Sequence, residues 1–106
     1  MKEAIRVVLV DDQELYREGN ALLLDATDDI VVVGEADTGE EALHAIAEAK
    51  PDIVLMDIRM PGMGGIDATR RIVSAHPDIR VIALTIFDLD EYAFGALNAG
   101  ASALWL

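Results

Sequence analysis

The sequence predicts an open, doubly wound α/β sheet, with parallel strands and helices on both faces. Three observations predict it. Short β-branched runs recur along the chain, segments with apolar residues at helical spacing separate them, and the runs themselves are apolar without alternation. A strand that is apolar at successive positions is buried on both sides, as happens when helices cover each face of a parallel sheet.

The first strand is expected from Ile5 to Val10, where IRVVLV ends in four consecutive apolar residues. Leu15, Leu22, Leu23 and Ala26 then fall at helical spacing and predict the first helix. A second strand is expected from Ile30 to Gly34, and a second helix through Ala42, Leu43, Ile46 and Ala47. The third strand, Ile53 to Met56, is followed by Pro61, Gly62, Gly64 and Gly65, which is turn chemistry. Ile66, Thr69, Ile72 and Val73 predict the third helix, and Arg80 to Leu84 the fourth strand. Leu89, Ala93, Ala96 and Leu97 predict a fourth helix, and Ala103 to Leu106 a fifth strand. No linker, low-complexity segment or internal repeat interrupts this order.

A chain of 106 residues makes one domain, and 53% hydrophobic with 26% charged residues makes it globular rather than disordered. No apolar run reaches the ~20 residues of a membrane span, and MKEAIR lacks a signal-peptide core, so a cytoplasmic protein without membrane contact is expected. There is no cysteine, which excludes disulfides and thiolate metal sites. His44 and His76 are expected on solvated helix surfaces. Twenty acids against eight bases give a net charge of -12, which repels phosphate backbones and anionic lipids. A cation or a basic partner suits this chain, and direct nucleic-acid binding does not.

Open α/β sheets bind ligands beyond the carboxyl ends of their strands. There the first strand delivers Asp11 and Asp12, the third Asp57, and the fourth Thr85. Asp12 alone has the type and position of a helix N-cap, and Thr85 alone is an ordinary strand residue. Together, however, three carboxylates with no base nearby in sequence are costly unless a divalent cation sits among them. Such an oxygen set suits magnesium.

These residues also carry a family resemblance. VLVDDQELYREG, PDIVLMDIRMPGMGGIDATRRI, VIALTIFD and ALNAGASALWL together resemble the receiver domain of bacterial two-component response regulators, most similar to the LuxR/NarL-type branch. The resemblance covers essentially the whole of residues 1–106. It implies a flavodoxin-like, five-stranded sheet of order 2-1-3-4-5, with a site above strands one, three and four. It implies phosphoryl transfer from a sensor histidine kinase to Asp57, a phosphoacceptor rather than an enzyme. Asp12 and Asp57 would hold Mg2+ directly and Asp11 through water, the Arg59 backbone carbonyl would add a ligand, and Thr85 would supply the switch hydroxyl.

Some positions depart from the family pattern. The lysine that ends strand five would come immediately after Leu106, and the fifth helix would follow it. Without that helix an apolar strip beside the first helix is expected to be uncovered, and self-association, a homodimer, follows. The helix-turn-helix output domain of LuxR-type transcription regulators is likewise not in this sequence. Leu104 stands where an aromatic often sits, with Trp105 expected on the opposite face, and Ile86 replaces a small residue after Thr85. These departures favour an alternative, a receiver-like interaction module that works without phosphorylation, but the intact Asp11, Asp12, Asp57 and Thr85 oppose it, and the phosphoacceptor is the expected function. A haloacid-dehalogenase-type phosphatase is disfavoured by Arg59 where a second acid is needed, and a dinucleotide-binding domain by the absence of a glycine-rich turn after strand one.

Overall fold

The computed structural model describes residues 4–57, 64–84 and 100, and the backbone of 103–105. Eight elements follow in order: β1 Ile5–Val10, α1 Glu14–Asp25, β2 Ile30–Ala36, α2 Gly39–Ala49, β3 Ile53–Asp57, α3 Gly65–Ala75, β4 Arg80–Leu84 and β5 Ala103–Trp105. Every strand pair is parallel and the sheet order is β2-β1-β3-β4-β5, as expected. The fourth helix expected around Leu89 to Leu97 lies outside the described residues, as do Ile86 and the side chains of Leu104 and Trp105.

The two faces of the sheet are packed by different helices. Val8, Val10, Val54, Met56 and Val81 point to one side and pack with Ala42 and Ile46 of α2 and Ala68 and Ile72 of α3. Val7, Leu9 and Leu55 point to the other, against Ala21 and Leu24 of α1. Successive side chains along β1 therefore alternate between two apolar layers, which is why its last four residues are apolar without a break. Burying a side chain such as Ile46 or Met56, both fully enclosed, contributes ~1.5–3 kcal/mol.

Local chemistry sets the ends of the elements. Thr38 caps α2, its Oγ1 accepting from the Glu41 N–H at 3.1 Å, and Lys50 ends that helix in the left-handed conformation before Pro51. In α3 the buried Thr69 hydroxyl donates to the Gly65 carbonyl one turn back at 2.7 Å, so it leaves no unsatisfied group in the core. Opposite the carboxyl ends, Asp52 ties three strands: its carboxylate accepts from the Arg6 N–H, its own N–H donates to the Arg6 carbonyl, and its carbonyl accepts from the Arg80 N–H.

Three sequence expectations are revised. The apolar residues at helical spacing in α1 do not face the sheet: Leu15, Leu22 and Leu23 are 85%, 75% and 73% exposed, and Ala21 and Leu24 pack inward instead. Arg17 lies on that inner side as well, its side chain only 15% exposed. β2 runs on through Glu35 and Ala36, past the expected end at Gly34. His44 is exposed as expected, whereas His76 is half-buried at the C-cap of α3, where its N–H donates to the Ile72 carbonyl at 2.7 Å.

Candidate metal and phosphoryl site

Connections leave β1 toward β2 on one side and β3 toward β4 on the other, so β1 and β3 flank the switch point of the sheet. A crevice opens there because the two connections diverge. Val10 pairs with Met56, so the residues that follow them, Asp11 and Asp57, emerge side by side. Oxygen atoms of Asp11, Asp12 and Asp57 lie within 4.8 Å of one another. Asp11 and Asp57 are half-buried and Asp12 is exposed. Three hard oxygen donors this close, open to water on one side, fit a small divalent cation that keeps part of its hydration shell.

Asp11 is held at several points. Its N–H donates to the Ala36 carbonyl at 3.0 Å, its carboxylate accepts from the Gln13 N–H at 2.8 Å, and its carbonyl accepts from Arg17 Nη1 at 2.6 Å. Asp12 does not serve as the N-cap of α1: that position is Gln13, with no side-chain cap bond. The reading of Asp12 as a capping residue therefore gives way to its place in the acid cluster.

Thr85 and Arg59 lie outside the described residues. β4 does reach the site: Leu84, the residue before Thr85, pairs with Asp57 across the β3–β4 ladder. In the first turn of α2, the Glu41 carboxyl is raised above its ordinary value, chiefly by its side-chain hydrogen bond with Asp37. The Asp37 charge adds to the rise, while the Asp37 backbone N–H and the Arg17 guanidinium oppose it.

Sequence reasoning missed Arg17 and Glu35. Arg17 Nε pairs with Glu35 Oε1 at 3.1 Å while Nη1 holds the Asp11 carbonyl. One signal was available: an arginine six residues after the first acid sits on the second turn of the following helix, where a long side chain reaches back to the strand end.

Comparison with known proteins gives the family. The family model described as the response regulator receiver domain matches residues 7–104. The response regulator GacA of Pseudomonas viridiflava is 49% identical over 98 residues, 92% of this chain and 46% of that protein. The transcriptional regulatory protein LiaR of Bacillus subtilis is 44% identical over 97 residues, 92% of this chain and 46% of that protein. The chain thus spans about half the length of these relatives. Among solved structures, a LuxR-family response regulator from an Aurantimonas species superposes with a TM-score of 0.90 at 38% identity, covering 96% of this chain and 73% of that one. The receiver domain of the putative response regulator NarL from Mycobacterium tuberculosis gives the same TM-score and identity, 0.90 and 38%, over 96% of this chain and 82% of that one. With its parallel sheet, its acids at the switch point and a family match along nearly its whole length, this chain belongs to the response regulator receiver domain family of two-component systems.

Proposed function

We propose that this chain is a magnesium-dependent phosphoacceptor that receives a phosphoryl group from a sensor histidine kinase on Asp57. The observation that carries the reading is the convergence of Asp11, Asp12 and Asp57 within 4.8 Å at the ends of β1 and β3. Carboxylates at that separation repel, so the arrangement has a physical rationale when a cation shares them. An Asp57 oxygen forms the bond to phosphorus as the phosphorus–nitrogen bond of the phosphohistidine breaks, and the electron pair remains on the imidazole nitrogen. Asp12 and Asp57 would hold Mg2+ directly, with Asp11 acting through water and the Arg59 carbonyl as a further ligand. When bound, the metal neutralises charge on the equatorial phosphoryl oxygens. Thr85, next after the residue paired with Asp57, supplies the hydroxyl that responds to the new phosphoryl group.

The same reading makes the chain a signalling domain rather than an enzyme acting on a separate substrate. Its output passes to the DNA-binding part of a LuxR-type transcription regulator in the cytoplasm. No helix among the described residues is long and apolar enough to cross a membrane. The exposed Leu15, Leu22 and Leu23 on α1 support self-association as a homodimer. A single monomeric species in sedimentation at every concentration would remove that part.

The test is intact mass after incubation with acetyl phosphate or phosphoramidate, with and without magnesium. A magnesium-dependent gain of one phosphoryl group, absent in Asp57→Asn, is expected. No gain by a folded protein would replace the reading with an interaction module that works without phosphorylation.

A further inference from the structure

Arg17 and Glu35 are far apart in sequence, yet the fold closes them into a ring with Asp11 and Ala36. The Ala36 carbonyl accepts from the Asp11 N–H at 3.0 Å, and Arg17 Nη1 donates to the Asp11 carbonyl at 2.6 Å. Glu35, the neighbour of Ala36, takes Arg17 Nε at 3.1 Å. The end of β2 thus grips both backbone groups of Asp11, one directly and one through the guanidinium. The Arg17 side chain is only 15% exposed, so its geometry is enforced by packing.

A register slip makes this ring possible. β1 and β2 pair as Val7 with Val32, then Val8 with Gly34, so β2 carries one extra residue. Ile30 and Val32 pack on the α1 side, while Val33 packs on the α2 side and Gly34 meets Val8 and Ala45 there. Side chains alternate along a regular strand, so without the extra residue Glu35 would face α2. With it, Glu35 comes to the α1 side and meets Arg17. Bulges near functional sites re-aim side chains in this way.

The carbonyl that Arg17 holds belongs to the peptide plane joining Asp11 to Asp12. That plane is rigid, so fixing its oxygen fixes where the Asp12 N and Cα sit, and with them the point from which the Asp12 side chain starts. We infer that Arg17, braced by Glu35, is a positioning residue that aims the Asp11–Asp12 pair for the divalent cation. The inference rests on the proposed magnesium-dependent reading and adds the part that presets its geometry. Groups that orient metal ligands typically set affinity by ten- to a hundredfold.

The test is calorimetric titration of Mg2+ into the wild-type chain, Arg17→Lys and Arg17→Met. Lysine keeps the charge but cannot hold the Asp11 carbonyl and Glu35 at once in a planar fork. Methionine keeps the apolar stem and removes the charge. Positioning predicts that both bind Mg2+ more weakly, by about tenfold. Bare electrostatics predicts the opposite for Arg17→Met, because loss of a cation beside the site would tighten binding. Unchanged affinity in Arg17→Lys, or tighter binding in Arg17→Met, overturns the inference and leaves Arg17 a strap between α1 and β2. Absence of Mg2+ binding by the wild-type chain overturns the underlying reading first, and this inference with it.

Discussion

If Asp12 is placed for a cation rather than for stability, replacing it with asparagine stabilises the metal-free fold. The repulsion that counts is between Asp12 and Asp57, because Asp11 and Asp12 are neighbours in sequence and repel in the unfolded chain as well. At the 4.8 Å limit of their separation, two unit charges in water-like surroundings repel by about 0.9 kcal/mol. Screening at ordinary ionic strength lowers this to about 0.5 kcal/mol, and the half-buried setting of Asp57 raises it again. Asp12→Asn is therefore expected to gain about 0.5–1 kcal/mol without magnesium, a rise of roughly 2–8 °C in midpoint for a domain of this size. Magnesium should reverse the order. At ten times its dissociation constant a ligand adds about 1.4 kcal/mol to the state that binds it, and the variant lacks most of that gain. Thermal unfolding with and without Mg2+ measures both quantities. The reasoning fails if Asp12→Asn is less stable than wild type without metal, or if magnesium raises both midpoints equally.

Two other perturbations follow from described geometry. Gly100 has φ +113°, and a Cβ there would lie 3.0 Å from Val73 Cγ1, so Gly100→Ala is expected to lose ~1–3 kcal/mol in urea unfolding. Adding Val73→Ala should recover only part of the loss, since the backbone penalty remains; a Gly100→Ala protein as stable as wild type would contradict the argument. The Glu41 carboxyl is raised in the folded state, so folding favours its protonated form, and this contribution is complete only below the ordinary carboxylate range. It is lost as pH rises through the raised folded value. Wild type should thus lose stability relative to Glu41→Gln over that interval, and a pH-independent difference in urea midpoints would refute it.

The legible parts of the chain were those governed by local periodicity. β1 and β3 could be read because each is buried on both faces, and uninterrupted apolar runs such as VVLV and IVLM have few other uses. α2 could be read because Ala42, Leu43 and Ile46 all serve the core, fully or in part. In α1 the same periodicity misled. Leu15, Leu22 and Leu23 share an apolar face, and nothing local tells an inward leucine from an outward one.

By itself the sequence determined the alternation of strands and helices, the acids at the ends of β1 and β3, and the family those acids signal. Each depends on residues within one element, whose burial and exit point follow from its own pattern. The tertiary structure alone decided which face of α1 packs, that the slip between Val7 and Val8 turns Glu35 toward Arg17, and that Arg17 holds the peptide between Asp11 and Asp12. Those outcomes depend on strand register and on contacts between residues distant in sequence, and a one-residue slip reverses the face of every side chain beyond it.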